Sequence, residues 1–201
     1  MRTVAILLFN EIEVLDFAGP FEVFGVTGKQ SGNPAFLPFT VAERGPVYAR
    51  NGLCITPAYL LNDHPKADII IVPGGGGFHR DGTPYGSRRE MDNPAVLNWI
   101  RRSSEKAELV LSVCTGALLL AKAGLLDNLS ATTHYLATDS LAQMAPTTTV
   151  LPKERYVDNG KVITSAGISA GIDMSLYVVS KLLGKVAADE TAQYMQYDYW
   201  T

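Results

Sequence analysis

Glu108–Gly124, ELVLSVCTGALLLAKAG, is a short apolar run that meets a cysteine and turns at once into a helical pattern. Leu109–Val113 has the length and β-branched content of a strand buried on both faces, as in a parallel sheet. Ala117, Leu118, Leu119, Leu120 and Ala121 are good helix formers, Lys122 lies near the end of their run, and Gly124 suits the stop. Only Thr115 and Gly116 separate strand from helix, so the turn is sharp. Cys114 therefore sits at the C-terminal edge of its strand, where open α/β sheets keep their sites. Free amide N–H groups and the positive end of the helix dipole at that point favour thiolate over thiol. The pattern approximates a nucleophile elbow, with Ser112 and Gly116 as the small residues on either side. Taken alone, the stretch fits a nucleophile and a small core hydrophobe equally well.

The rest of the composition narrows the setting. A chain of 201 residues with 47% hydrophobic content suits one domain, residues 1–201, with a substantial core. A net charge of −3 and scattered Lys and Arg give no nucleic-acid surface. No apolar run is long enough to span a bilayer, and the N-terminal MRTVAILLF is followed at once by acidic residues, so it reads as a first strand. Two cysteines make no disulfide framework, which points to the cytoplasm. Three His without ligand spacing offer no metal site, and no cofactor motif is present.

Outward from the elbow, strand and helix patterns alternate. Arg2–Phe9 reads as a buried strand, and Asn10–Gly28 as a turn and helix with Pro20 in the first turn and Asp16 just ahead of it. Asp16 is either a first-turn carboxylate or a site residue near a strand end. Phe36–Ala42 and Gly52–Thr56 suggest strands, the second carrying Cys54 as core or edge packing. Asp68–Val72 is a buried strand that breaks into Pro73 and four glycines; such a break brings backbone N–H groups of Gly75 and Gly76 close to a ligand atom. Phe78–Asp92 has the polarity of a surface loop, with His79 facing solvent, and Pro94–Ser104 is a helix. His134 stands at an element end, equally a structural or a site residue. Asp158-Asn159-Gly160 is a hairpin turn, and Ser165-Ala166-Gly167 repeats the strand-to-glycine break ahead of a helix at Ser169–Leu183. A last helix, Ala187–Tyr197, ends in an aromatic group of Tyr194, Tyr197, Tyr199 and Trp200 suited to close over the core or an interface. The alternation predicts an α/β fold with a mostly parallel central sheet flanked by helices on both faces.

VPGGGG at Val72–Gly77, SVCTGALLLAKAGLL at Ser112–Leu126, ATTHYLA at Ala131–Ala137 and TSAGISAGID at Thr164–Asp173 together resemble the PfpI-like superfamily. The resemblance implies a flavodoxin-like, class I glutamine amidotransferase-like sandwich with a nucleophile elbow. LDFAGPFEVF at Leu15–Phe24 is similar to the branch that includes isonitrile hydratases and the amidase-like domain of AraC-type regulators. That branch places Asp16 beside the elbow cysteine where other members use Glu. Protease-like members have His directly after the cysteine, whereas this chain has Thr115. A regulator would continue into a basic helix-turn-helix domain, and the sequence stops at Thr201, so the expectation is a stand-alone hydratase acting on a small molecule as a homodimer.

On that resemblance Cys114 attacks the terminal carbon of an isonitrile, Asp16 moves the proton or orients water, and Thr115 hydrogen-bonds the reacting atoms. The Gly75, Gly76 and Thr115 amides stabilise developing charge, and His134, Ala166 and Gly167 are candidate pocket residues. Two other expectations stand beside it: cofactor-independent hydration of methylglyoxal by the same thiolate and carboxylate, and a non-enzymatic redox or ligand sensor in which Cys114 is oxidised.

Overall fold

The apolar runs of the sequence form the middle of one sheet because only there are both faces of a strand covered. In the computed structural model, which describes residues 1–198, seven strands pair: β1 (Arg2–Leu8), β2 (Phe36–Ala42), β3 (Tyr59–Leu60), β4 (Ile69–Val72), β5 (Leu109–Val113), β6 (Tyr156–Asp158) and β7 (Val162–Ser165). Their order is β6-β7-β5-β4-β1-β2-β3. All neighbours are parallel except β6, which returns antiparallel to β7 through the expected turn. Every residue of β4 and β5 is buried.

Among the described residues seven α-helices surround the sheet: α1 (Val14–Val26), α2 (Ser87–Glu90), α3 (Pro94–Lys106), α4 (Gly116–Lys122), α5 (Thr138–Met144), α6 (Ala170–Leu183) and α7 (Lys185–Tyr194). Helices α1, α6 and α7 pack together on one face, while α3 and α4, with α5 behind α4, lie on the other. Helix α3 starts where the sequence supplies a cap: Asn93 Oδ1 accepts the Ala95 and Val96 N–H groups, and Pro94 occupies a first-turn position that needs no donor. No helix among the described residues is long and apolar enough to cross a membrane.

Several boundaries depart from the sequence pattern. Helix α1 begins at Val14, so Pro20 lies in its interior and the Asp16 carbonyl loses its regular amide partner. Asp16 is thus in the first turn of α1, not ahead of it. Cys54 is exposed on a two-residue strand, Cys54–Ile55, that pairs with Val47–Tyr48 outside the central sheet. The polar segment after β4 is more ordered than its composition suggests: Gly76–Phe78 and Pro84–Gly86 form an antiparallel ribbon leading into α2, whose Ser87 and Glu90 are buried. His79, at the ribbon's tip, is exposed as expected. Tyr199 and Trp200 of the expected aromatic group lie outside the described residues. Of the other two, Tyr197 donates its hydroxyl to Asp173 (2.7 Å), whereas Tyr194 is exposed.

The start of α4 presses so closely on the end of β4 that a Cβ on Gly116 would overlap the Val72 carbonyl oxygen. Backbone cannot retreat cheaply there. Gly116→Ala is expected to lower stability by about 1–3 kcal/mol in urea unfolding. Gly25→Ala, in the interior of α1 with Pro38 at 3.7 Å, is expected to raise it by about 0.5 kcal/mol. Equal effects at the two positions would contradict the close approach at the elbow.

Candidate active site

The parallel register brings the strand ends level. Val72 stands opposite Ser112, and Ser165 opposite Val113, so the glycine run after β4 and Ala166-Gly167-Ile168 after β7 flank Cys114. Cys114 turns the chain from β5 toward α4 with φ +57°, a left-handed value that is costly for an L residue. Its N–H donates to the Ser165 and Ala166 carbonyls (3.2 and 3.0 Å), and its carbonyl accepts the Thr133 hydroxyl (2.8 Å). Those bonds hold the turn and leave Cys114 buried at 5% exposure.

Asp16 reaches the same point from α1. Its Oδ2 accepts the Gly74 N–H (3.0 Å), and its carboxyl faces the Cys114 thiol. Oδ1 makes no conventional hydrogen bond among the described residues. Burial pushes the Asp16 carboxyl up to about 7, against the pull of the Gly74 N–H. Burial also pushes the Cys114 thiol up to about 12; the Asp16 charge adds to that, while the Thr115 and Ile168 N–H groups act the other way. The two groups are one coupled pair whose first proton leaves near pH 7; below that both are neutral, and above it they share one proton and one negative charge. The expectation that amides and helix end alone leave a standing thiolate is therefore corrected, because burial beside a carboxylate outweighs them.

Thr115 Oγ1 has committed partners. The Gly75 N–H, expected to face a reacting atom, donates to it (3.0 Å), and Ser87 Oγ lies 2.9 Å away. Ser87 Oγ also donates to the Gly75 carbonyl (2.7 Å) and accepts from Arg88 Nη1 (3.2 Å). Protons balance if Thr115 donates to Ser87, which makes the Thr115 hydroxyl a tie between the elbow and the ribbon. Gly76 sits opposite Gly86 in that ribbon. Its φ of +88° and the crowding around its Cα explain why no side chain stands there.

His134 packs against the segment that follows β7 and stands near Arg88. Its ring lies against Gly167, where a Cβ would overlap it, and its Nδ1 accepts the Leu136 N–H (3.3 Å), which assigns the proton of the neutral ring to Nε2. Burial, with the nearby Arg88 charge, holds the His134 pKa below the usual histidine range.

The structure brings together Cys114, Asp16, Thr115 and the two glycine breaks, as the resemblance implied, and adds three participants that do not stand out in the sequence. The Ile168 amide faces the sulfur, with Ile168 itself at φ +52°. Its signal was the second strand-to-glycine break. Ser87 and Arg88 lay in a stretch whose polarity resembled solvent-facing loop. No group of three or more His, Cys, Asp or Glu among the described residues is arranged to hold a metal ion.

Fold and site together define a class: α/β proteins with a cysteine at a strand-to-helix elbow and a carboxylic acid beside it. The chain matches the DJ-1/PfpI family over residues 2–181 and belongs to that family. It is 35% identical over 194 residues to an isonitrile hydratase of Pseudomonas putida, covering 96% of this chain and 75% of that protein. It is 28% identical over 187 residues to the HTH-type transcriptional regulator CdhR of Pseudomonas aeruginosa, covering 93% of this chain and only 52% of the regulator. Among solved structures, a ThiJ/PfpI family protein from Pseudomonas syringae superposes with a TM-score of 0.84 at 28% identity, over 98% of this chain and 75% of that one.

The buried acid carries a stability cost with a definite sign. Asp16 has a folded pKa of about 7 against an ordinary 3.8, so the folded state binds more protons between those values and stability falls as pH rises through them. Asp16→Asn keeps an acceptor for the Gly74 N–H and removes the charge. Its unfolding free energy from urea titration at pH 8 is expected to exceed that of wild type by about 2–4 kcal/mol, the advantage fading toward pH 4. A variant no more stable than wild type at pH 8 would contradict the raised acid.

Proposed function

We propose that the protein is a cysteine-dependent isonitrile hydratase, converting R–N≡C and water into the N-substituted formamide. The observation that carries this reading is the Asp16 carboxyl fixed by Gly74 against the Cys114 thiol. Addition to an isonitrile carbon needs a nucleophile and a proton delivered to the same atom, and a thiol–carboxylate pair holding one proton supplies both.

Cys114 sulfur bonds to the terminal carbon while its proton passes through Asp16 to that carbon, giving the thioimidate R–N=CH–S. The Thr115 and Ile168 N–H groups stabilise negative charge as it builds on sulfur. Water then adds to the same carbon, one of its protons moving by way of Asp16 to nitrogen. Collapse of R–NH–CH(OH)–S breaks the C–S bond, the remaining hydroxyl proton returns to sulfur, and R–NH–CHO leaves. Atoms balance without a cofactor. Thr115, tied to Ser87, keeps the elbow in register with the ribbon. Homology to the Pseudomonas putida hydratase supports the substrate class, and Thr115 in place of a His after the nucleophile fits it better than peptide hydrolysis. The same reading has the enzyme work as a cytoplasmic homodimer.

Purified protein with an alkyl isonitrile is expected to release formamide, with kcat/KM rising as pH increases through about 7, where Asp16 becomes able to take the thiol proton. Cys114→Ala should abolish turnover, and Asp16→Asn should lower kcat by about 10²–10⁴-fold. No formamide above the Cys114→Ala background would sink the hydratase reading. Lactate from methylglyoxal, or a stable Cys114 adduct without turnover, would put a glyoxalase or a sensor in its place.

A further inference from the structure

Arg88 is a charge that the chemistry above does not use. It is half-buried in α2, its one polar contact is Nη1 to Ser87 Oγ at 3.2 Å, and it forms no ion pair among the described residues. Through Ser87 and Thr115 it stands two hydrogen bonds from the residue that follows Cys114. The neighbouring acids are already engaged: Glu13 pairs with Arg50 at 3.2 Å, Asp16 with Gly74 and the thiol, and Glu90 with Arg89 at 2.6 Å. The remaining titratable groups near it are Cys114, Tyr85 and His134, and none is a carboxylate. A partly desolvated guanidinium without a counter-charge is costly, and its planar fork matches a carboxylate. His134, with its proton on Nε2, is a neutral donor near Arg88.

Resting on Cys114 as the nucleophile, we infer that Arg88, with His134 beside it, binds a carboxylate on the substrate, so that the preferred substrates are small organic acids bearing the reacting group. The carboxylate anchors one end of the molecule and presents the electrophilic carbon to sulfur, a positioning effect. Neutral analogues of the same size forfeit that anchor.

Two matched pairs of probes test this. Iodoacetate and iodoacetamide differ in charge and little in size, and each alkylates Cys114 by forming an S–C bond as iodide leaves and the thiol proton is lost to base. In a Cys54→Ser background, which removes the exposed thiol, intact mass against time gives both rates. The ratio of the iodoacetate to the iodoacetamide rate at Cys114 is expected to exceed that of glutathione at the same pH, and to fall by about tenfold or more in Arg88→Met. A changed thiolate fraction moves both reagents alike and cancels from the ratio. Arg88→Lys, which keeps the charge without the fork, should fall between. A wild-type ratio no higher than that of glutathione, or a ratio unchanged in Arg88→Met with both rates slowed together, would overturn the carboxylate site and leave Arg88 acting on sulfur. The glutathione comparison needs only the wild-type Arg88 and so stands even where a variant does not fold. Isocyanoacetate and its methyl ester form the second pair, with kcat/KM expected to favour the acid in wild type and not in Arg88→Met. Turnover of neither, with the alkylation ratio as expected, defeats the hydratase reading and keeps the carboxylate site; turnover of both at equal rates, with no effect of Arg88 in either assay, does the reverse.

Discussion

The structure depends on one residue held in a conformation it does not favour. Cys114 passes the chain from β5 toward α4 at φ +57°, where an L residue costs about 1–2 kcal/mol. The carbonyls of Ser165 and Ala166, at the end of β7, accept its N–H and the Thr133 hydroxyl donates to its carbonyl, so two separate segments share the work of keeping it there. Ile168, at φ +52° and β-branched, is strained in the same sense and presents its amide to the sulfur. Both residues stand on a sheet whose central strands are wholly buried, which supplies the rigid frame such strain needs.

Electrostatics at that point follow from burial rather than from the helix end. A thiol and a carboxylate enclosed together cannot both ionise, and the amides of Thr115, Ile168 and Gly74 offset only part of the cost. The pair therefore behaves as one group with one proton to move. Charge is not stored on sulfur in advance; it develops as the sulfur bonds, with the acid beside it to take and return the proton.

Much of this was legible in the sequence because it depends on local rules. A doubly buried strand, a two-residue break and a helical run locate Cys114 without reference to anything distant, and the same logic finds the breaks after β4 and β7. Asp16 after β1 reads equally as a first-turn carboxylate, and only the family resemblance puts it beside Cys114; Pro20 suggests a first turn, but packing of α1 against the sheet and α6 overrides the missing hydrogen bond. What could not be read is where amides point. Gly75 has the backbone freedom of an oxyanion donor, yet its N–H is consumed by Thr115, a bond between residues forty positions apart that no pattern records. Ser87 and Arg88 escaped for a related reason: burial of α2 is decided by contact with α4 and not by its own polar composition.

The ribbon and α2 add no strand to the central sheet, and they meet the elbow through the hydroxyls of Ser87 and Thr115 and the Gly75 carbonyl. Nucleophile and acid, by contrast, are set by the sheet and its covering helices. The segment from Gly76 to Glu90 is thereby a separable module: its length and side chains can be exchanged without shifting the register of β4 against β5. A lineage built on this plan has a way to diversify which molecules it admits while the reacting pair stays fixed.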